Sequence, residues 1–418
     1  MPRLVVLEGP TATLFKDGLV IDGLGGYAER TDVLVEGERI AAIGRNLAHP
    51  VTPGAQIFFL AGRTLMPGLV DSHVHIGGGD YFPGCEHELI GVAAIRTAEA
   101  ATRTLMAGIT TIRTPGSRDY LDLDIRDAVN LGLLPGPRII GSGRGITTPG
   151  GHMHETCIVA DRVDEVREAV RVHVKRGANS IKLVMSAGVA TAGLPVDAEQ
   201  FGVEQAKAAV YEARKAGLRV MTHAIGLGAI RNAVETGVDS IDHGHFLDEE
   251  QATRMKDKGM YYVPTVGPTH YYTQVRLAEP WRIERAEAVA EQHARAFKLA
   301  LEFGLKMAMG CDCGAPSRMP NGANALELAL MVEHGLSAER ALVCGTSESA
   351  NLVGLGDRVG GVTVGKLADL IVVDGNPLDD ITVLQRGVQL VMKGGRVVRD
   401  ELGRRRANAL ELARGSDT

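Results

Sequence analysis

Residues 66–75, which read MPGLVDSHVH, decide the fold. They predict an apolar strand that ends in two histidines, His73 and His75. Side chains two positions apart on a strand point to the same side, so both imidazoles can bind one cation. For a His-x-His pair alone, two partly exposed histidines without a ligand are an equally good interpretation. The rest of the chain decides between these alternatives.

The same strand pattern recurs along the middle of the chain, and helical segments separate the strands. The predicted strands are residues 69–75, 109–113, 138–142, 180–185, 219–223, 240–243, 260–264 and 306–312. The predicted helices include residues 91–106, 163–176, 203–216, 283–303 and 323–333. Eight strand–helix units predict an α/β fold, a closed (β/α)8 TIM barrel over residues 66–360. A doubly wound open sheet competes with it, but no Gly-x-Gly-x-x-Gly follows an early strand.

The two ends of the chain differ from this middle part. Before residue 66, the short apolar runs at residues 19–23, 32–36 and 39–44 predict strands, because glycine or charged residues bound each run. Residues 368–374 and 388–395 repeat the pattern near the C-terminus. We therefore predict a small β-sandwich domain that residues 1–65 and 361–418 build together.

Composition restricts the function. The 418 residues are 45% hydrophobic and 23% charged, which is typical of a soluble protein with a large core. A formal net charge of -6 and only 4% aromatic residues disfavour nucleic-acid binding. The sequence shows no signal-peptide pattern and no apolar run of about 18 residues, and its five cysteines suit a reducing compartment. We expect a cytoplasmic homo-oligomer that acts on a small-molecule substrate, without nucleic-acid or membrane partners.

The later strands also end in side chains that can ligate a metal. Strand four carries Lys182 within an apolar run, and three further strands end at His223, His243 and Asp312. A buried lysine is costly unless it is paired or modified, and a closed barrel has no edge strand that would expose it. Barrel active sites form at the carboxyl ends of the strands. The convergence of these side chains with the two histidines of strand one therefore predicts a metal site.

These segments resemble the amidohydrolase superfamily of metal-dependent hydrolases. The resemblance rests on residues 66–75, 181–182, 222–224, 242–244 and 312, and on the C-terminal residues 361–370 and 374–378. It is closest to the prolidase-like and imidazolonepropionase-related amidohydrolases, a branch that includes enzymes that cleave amide-linked toxins.

The resemblance implies a binuclear centre with two divalent metal ions. His73 and His75 would bind the more buried ion together with Asp312. His223 and His243 would bind the more exposed ion. Imidazole and carboxylate ligands suit Zn²⁺, with Mn²⁺, Co²⁺ or Fe²⁺ as alternatives.

The resemblance also implies a modified lysine and a catalytic acid–base residue. Lys182, carboxylated by CO2 to a carbamate (N6-carboxylysine), would bridge the two ions, and this would also remove the cost of burying an ammonium. The ions would share a hydroxide that attacks the substrate carbonyl. Asp312 would accept the proton of the attacking water and pass it to the leaving amine.

Three residues are candidates for substrate binding. His152 lies where relatives carry a histidine that holds the substrate carbonyl or carboxylate, although a solvated loop histidine is the alternative. Arg113 could bind a substrate carboxylate in a bidentate manner, or could equally pair with a carboxylate of the site. Ile225 stands where prolidase-like members typically have a tyrosine for the substrate carboxylate, which leaves room for an apolar or aromatic leaving group. We expect His245 to support the site from behind the ligands, and we interpret His293 as an ordinary histidine.

These expectations predict an enzyme that cleaves the C–N amide bond of a small substrate, such as a dipeptide, an N-acyl amino acid or a related xenobiotic amide. A cyclic amide, a carbamate, a urea or an ester is an alternative substrate within the superfamily. A metal-storing or structural barrel is the third possibility. A structural metal site needs no spare proton acceptor such as Asp312, which disfavours that possibility.

Overall fold

The computed structural model describes residues 12–26, 28–77, 87–314, 319–402 and 405–406. Its strands are β1 (Ala12–Ile21), β2 (Ala28–Glu36), β3 (Arg39–Gly44), β4 (Gln56–Phe59), β5 (Thr64–Pro67), β6 (Leu69–Asp71), β7 (Ile109–Arg113), β8 (Arg138–Ile140), β9 (Ile146–Thr147), β10 (Ile158–Val159), β11 (Ser180–Val184), β12 (Arg219–Ala224), β13 (Ser240–His243), β14 (Tyr261–Val263), β15 (Lys306–Met307), β16 (Leu370–Val373), β17 (Val388–Lys393), β18 (Arg396–Asp400) and β19 (Arg405–Arg406). Its α-helices are α1 (Ile90–Met106), α2 (Leu121–Asn130), α3 (Val163–Lys175), α4 (Val203–Lys215), α5 (Leu227–Thr236), α6 (Glu249–Lys258), α7 (Val266–His270), α8 (Pro280–Glu302), α9 (Leu326–Glu333), α10 (Ala338–Val343), α11 (Ser349–Leu352) and α12 (Val383–Arg386).

Strands from both ends of the chain share one nine-stranded sheet. Its order is β18-β17-β16-β5-β1-β2-β3, with β4 paired to β1 and β19 paired to β4. Buried side chains cluster on this sheet, among them Phe15, which stacks on Phe58 with the ring centroids 5.5 Å apart. Parts of the predicted terminal domain, residues 1–11, 27, 403–404 and 407–418, lie outside the described residues.

The middle of the chain forms parallel strands that fit a TIM-barrel-type α/β fold. These strands lie in two sheets, with the orders β6-β7-β8 and β10-β9-β11-β12-β13-β14-β15. Every predicted strand of this part overlaps an observed strand, and the five predicted helices correspond to α1, α3, α4, α8 and α9. Past the end of β6, the N–H of Ser72 donates to the carbonyl of Met309 (2.9 Å), and the N–H of His75 donates to the carbonyl of Cys313 (2.8 Å). The segments that follow β6 and β15 are therefore adjacent.

Five of the observed strands, β6, β8, β11, β14 and β15, end earlier than the sequence predicts. Because β6 ends at Asp71 and β15 at Met307, the predicted ligands His73, His75 and Asp312 lie beyond the regular strands. Asp312 has a φ of 50°, and His243, the last residue of β13, has a φ of 74°. Such left-handed conformations are uncommon for residues other than glycine, and they concentrate at functional sites. The backbone therefore departs from strand geometry where the predicted ligands lie.

The described part of the chain contains no helix with the length and apolar character needed to cross a bilayer. Four cysteines lie in this part, and all four are buried and free of disulfide bonds: Cys157, Cys311, Cys313 and Cys344. The fifth, Cys85, lies outside the described residues.

Candidate metal centre

Three of the predicted ligands form a compact group at the carboxyl ends of their strands. His73, His243 and Asp312 each offer one ligand atom, and these three atoms lie within 4.8 Å of one another. All three residues are buried. Nε2 of His75 lies 3.2 Å from Oδ1 of Asp312, and Nε2 of His73 lies 3.5 Å from the same oxygen. The His-x-His pair and the aspartate of the last strand thus meet, although they are more than 230 residues apart in the sequence.

His223 extends this group on the other side. Its ring centroid lies 4.6 Å from that of His243 and 4.4 Å from that of His152, on which it stacks. Its Nε2 lies 2.9 Å from the backbone carbonyl of Ala187. That contact requires a hydrogen on Nε2, so Nδ1 of a neutral His223 carries the lone pair available to a metal.

Hydrogen bonds that their Nδ1 atoms donate also fix the tautomers of His73 and His243. Nδ1 of His73 lies 2.8 Å from Oδ2 of Asp242. Nδ1 of His243 lies 2.6 Å from the hydroxyl of Thr265, which donates its own hydrogen to the carbonyl of Pro264 (2.7 Å) and therefore accepts from the histidine. Both rings thus carry their lone pair on Nε2. Partners of this kind orient metal-binding histidines in proteins.

Burial keeps the three rings uncharged. Burial lowers the pKa of His73 to about 4, with a further contribution from Lys182, even though the hydrogen bond that His73 donates to Asp242 acts in the opposite direction. Burial, and then His152, holds the pKa of His223 well below its usual range. For His243, burial and the neighbouring His223 lower the pKa in the same way. Neutral imidazole is the form that binds metal ions, so these side chains are ready to act as ligands at neutral pH.

Lys182 is buried beside these ligands, as the sequence predicts. Its side chain is 2% exposed, and Nζ lies 3.5 Å from Oδ2 of Asp242. Burial lowers the pKa of the Lys182 amine, although the charge of Asp242 opposes this effect. A lowered pKa increases the fraction of uncharged amine, which is the form that can react with CO2.

Asp242 is a central residue of the site that the sequence prediction did not include among the ligands or supports. It is fully buried, and it contacts His73, Lys182, Arg113 and Ser240. Burial alone would raise the pKa of this carboxyl, but the charges of Lys182 and Arg113 outweigh burial and hold its pKa below the usual range. Its place directly before His243 at the end of β13 is the signal that sequence reasoning could have used.

The candidates for substrate binding lie in different surroundings. Arg113 is 1% exposed, and it donates to the carbonyl of Ser72 (2.7 Å) and to the carboxylate of Asp242 (3.4 Å), contacts that match the alternative of a partner for a site carboxylate. His152 stacks on His223, and its Nδ1 lies 2.8 Å from the hydroxyl of Thr191.

Ile225 is the third of these candidates, and it is 3% exposed. Its backbone N–H donates to the hydroxyl of Ser186 (2.9 Å), and its carbonyl accepts from the N–H of Phe246 (3.1 Å).

Two further buried groups support the segment after β14. His293, which the sequence gave no special role, stacks on His245 with ring centroids 3.8 Å apart, and its Nε2 donates to the carbonyl of Pro264 (2.9 Å). Glu327 accepts hydrogen bonds from the backbone N–H groups of Val266 and Gly267, both at 2.8 Å. These contacts hold both sides of Thr265, the partner of His243. No local motif marks them, because they join residues far apart in the sequence.

Comparison with known proteins agrees with this arrangement. The amidohydrolase family model matches residues 64–398. The chain belongs to the amidohydrolase family. It is 29% identical over 425 residues to ochratoxinase of Aspergillus niger, across 92% of this chain and 86% of that protein. A crystal structure of a Xaa-Pro dipeptidase with methionine bound in the active site shows 32% identity and a TM-score of 0.85, and covers 93% of this chain and all of the dipeptidase. Imidazolonepropionase of Acidiphilium cryptum is 27% identical over 393 residues, across 85% of this chain and 90% of that protein.

Membership of the amidohydrolase family confirms the resemblance seen in the sequence, and it makes the chain a hydrolase that acts on amide C–N bonds. The family typically depends on metal ions, and the donors of this site fit such ions. Imidazole nitrogens and a carboxylate are ligands of Zn²⁺ and similar divalent ions. The neutral, oriented rings of His73, His223 and His243 and the carboxylate of Asp312 provide such a set in one buried place.

Proposed function

We propose that the chain is a binuclear metal-dependent amidohydrolase that cleaves the C–N amide bond of a small substrate, such as a dipeptide, an N-acyl amino acid or a related xenobiotic amide. The observation that carries this proposal is the group of His73, His243 and Asp312, whose ligand atoms lie within 4.8 Å of one another. The likeness to proteins named ochratoxinase and Xaa-Pro dipeptidase supports an amide as the substrate.

Six residues would hold the two ions. His73, His75 and Asp312 would bind the more buried ion, and His223 and His243 the more exposed ion. Lys182, as a carbamate, would bridge them, and we propose Zn²⁺ as the metal, with Mn²⁺, Co²⁺ or Fe²⁺ as substitutes. When bound, two such ions lower the pKa of a shared water and polarise the scissile carbonyl.

The protein groups would then move the proton and orient the substrate. Oδ1 of Asp312 lies 3.5 Å from Nε2 of His73 and 3.2 Å from Nε2 of His75, which supports a role for this carboxylate beside the reacting water. Asp312 would accept a proton from the water and deliver it to the amine as the C–N bond breaks. His152, stacked on His223, would hold the substrate carbonyl. Ile225 would present an apolar wall near His223, which favours bulky apolar or aromatic groups.

We also propose an architecture for the whole chain. The parallel strands of residues 66–360 would close into a (β/α)8 barrel, and residues 1–65 and 361–418 would form one β-sandwich domain around the sheet that both ends share. The protein would act as a cytoplasmic homo-oligomer on a small-molecule substrate, without nucleic-acid or membrane partners.

A hydrolysis screen tests the proposed function. Protein produced in zinc-supplemented medium would be assayed with N-acyl amino acids, dipeptides and aryl amides, before and after removal of metal with a chelator. We expect hydrolysis of at least one amide class, loss of that hydrolysis with the chelator, and its recovery when Zn²⁺ is restored. Metal analysis should approach two ions per chain. Amide hydrolysis that persists in fully metal-free protein would contradict the proposal.

A further inference from the structure

An arginine at the edge of the candidate site has no role in the mechanism described above. Arg285 lies in the second turn of α8, and its Nη2 donates to the backbone carbonyl of Gly188 at 3.0 Å. No carboxylate among the described residues forms an ion pair with it. Nearby acidic residues are used elsewhere, since Glu279 pairs with Arg282 and Glu287 pairs with Arg276. Arg285 is therefore a cation without a counter-ion in this part of the chain.

The carbonyl that Arg285 binds belongs to the wall of the site. A Cβ atom placed on Gly188 would lie 3.1 Å from Nε2 of His223 and 3.5 Å from Cε1 of His152. The preceding carbonyl, that of Ala187, accepts the hydrogen bond from His223. The guanidinium of Arg285 and the imidazole of His223 thus bind successive carbonyls of one loop. This places a positive charge beside the ligand of the more exposed metal position.

We propose that Arg285 binds the carboxylate of the substrate's leaving group, so that the enzyme favours amides of amino acids that carry a free α-carboxylate. This inference rests on the proposed amide hydrolysis and specifies its substrate class. In an N-acyl amino acid, the carboxylate is attached to the carbon next to the scissile nitrogen. The group that recognises it must therefore lie at the edge of the metal site, as Arg285 does.

The chemistry of the side chain fits this role. A guanidinium has five N–H donors in a planar fork and can bind a carboxylate in a bidentate manner. Only one of these donors, on Nη2, is used by Gly188. Arg113, the arginine that the sequence suggested for a carboxylate, is 1% exposed and bound to Asp242. Ile225 offers no polar group on its side chain. Arg285 is therefore the better placed of these three residues.

Matched substrates and matched variants test the proposal. The substrates are N-benzoyl-L-phenylalanine and its carboxamide, which differ in the charge of one group. The variants are Arg285→Met, which removes the charge, and Arg285→Lys, which keeps the charge without the fork. Arg282→Met is the control, because Arg282 lies on the same helix and also faces Trp281, at 5.2 Å, but is ion-paired with Glu279. Thermal unfolding of each variant reports whether the fold is intact.

The expected result is selective. Arg285→Met should lower kcat/KM for N-benzoyl-L-phenylalanine about 10–150-fold, mainly through KM, because a charge-assisted hydrogen bond is lost. Hydrolysis of the carboxamide should change less than about threefold, a change within the ordinary context dependence of such effects. Arg285→Lys should fall between wild type and Arg285→Met, and Arg282→Met should resemble wild type with both substrates. An equal loss on both substrates, or no loss on either, would overturn the proposal.

A binding measurement separates this proposal from the proposed function. Trp281 is the only tryptophan of the chain, and its ring centroid lies 6.0 Å from Cζ of Arg285, so its fluorescence reports ligands near this arginine. Titration of the metal-loaded protein should show tighter binding of N-benzoyl-L-phenylalanine than of its carboxamide, and Arg285→Met should remove this difference. This difference, with no hydrolysis of any amide in the screen described above, would retain Arg285 as the carboxylate-binding residue and refute amide hydrolysis. Hydrolysis with no Arg285-dependent difference would retain the proposed function and refute the role of Arg285.

Discussion

On the side of β6, the predicted ligand His73 is oriented by a carboxylate, whereas on the side of β13, His243 is oriented by a hydroxyl. Asp242 lies 2.8 Å from Nδ1 of His73 and carries a negative charge that Lys182 and Arg113 stabilise. Thr265 contacts Nδ1 of His243 through an uncharged oxygen. A carboxylate partner makes an imidazole a stronger ligand than a neutral partner does. The two proposed metal positions would therefore bind with unequal strength, and we expect the more exposed one to be weaker.

The largest effect should come from Asp312, which would bind the same ion as His73 and would also carry the proton. In Asp312→Asn, the amide oxygen can still approach a metal, but it cannot accept a proton near neutral pH. Proton transfer by a placed group contributes about 10²–10⁴-fold, so kcat should fall by at least that factor while substrate still binds. Steady-state kinetics and metal analysis of the same preparation measure both effects. Retained turnover would assign the base to another residue, with His152 or His245 as the next candidates.

Lys182, as a carbamate, would bridge the two ions, so its removal should weaken the binding of both. We expect Lys182→Ala to lower kcat/KM about 10²–10³-fold, because a few kcal/mol of charge stabilisation by a complete two-metal site are lost. Metal content should fall below two ions per chain, and short carboxylic acids that replace the carbamate should restore part of the activity. Lys207→Ala is the control, since Lys207 is an exposed lysine of α4. Near-normal activity of Lys182→Ala without any additive would exclude a bridging role.

These two residues were predictable from the sequence, because they lie in or just after strands of a repeating pattern. The period of strands and helices located eight of the ten strands from β6 to β15 and missed only the two-residue strands β9 and β10. The carboxyl ends of parallel strands meet at one rim. His73 and Asp312 could therefore be placed together although the backbone leaves the strand before both. Asp242 could have been found too, since it directly precedes His243.

Thr265, Glu327 and Arg285 could not be found from the sequence. They belong to a loop after β14 and to the helices α9 and α8, and they reach the site through tertiary packing between segments far apart in the chain. No local period or spacing encodes such contacts. These three residues were therefore harder to predict than the candidate ligands themselves.

Direct substitution of the two supporting groups tests the inequality of the two sides. We expect Asp242→Asn to weaken metal binding by nearly 100-fold and Thr265→Val by about 10-fold, the two ends of the range known for groups that support metal ligands. Competition with a chelator, monitored by metal content per chain, measures both affinities. Ser240→Ala is the control, because Ser240 donates to Oδ1 of Asp242 (2.8 Å) without touching His73. Equal losses in the two variants would show that the charge of Asp242 does not distinguish the two sides.

The smallest expected effect concerns Glu327, which holds the segment that carries Thr265 on the β13 side. Burial raises the pKa of the Glu327 carboxyl to about 8, although the N–H groups of Val266 and Gly267 oppose this shift. In the unfolded chain the carboxyl ionises near its ordinary pKa of 4.5. The folded protein thus binds a proton that the unfolded chain has lost, so this contribution to stability is complete below pH 4.5 and disappears as the pH rises through 8.

The difference between wild type and Glu327→Gln, measured in the window between pH 6.5 and 8, isolates this residue. The raised pKa values of Asp71 and Asp122, about 6, act mainly below the window, where the lowered pKa of His293, about 4, acts with the opposite sign. Lys393, whose pKa burial lowers to about 8, acts mainly above the window. Burial also lowers the pKa values of His73, His223, His243 and His245, which act with the opposite sign near pH 6.5 but equally in both proteins. The free energy of unfolding of wild type, relative to that of Glu327→Gln, should therefore decrease with pH by up to about 1.4 kcal/mol per pH unit.

Thermal unfolding of the metal-loaded protein at pH 6.5, 7, 7.5 and 8 measures this slope. Glu327→Gln cannot ionise but can still accept a hydrogen bond, so it should keep the fold and lack this one contribution, and its stability relative to wild type should rise between pH 6.5 and 8. Glu333→Gln, at the other end of α9, should keep the wild-type slope. If Glu327→Gln follows the wild-type curve, the carboxylate is already ionised at pH 6.5. The two backbone N–H groups would then outweigh burial. His243 would also have a negative charge behind it, but Thr265 would separate the two, whereas Asp242 contacts His73 directly.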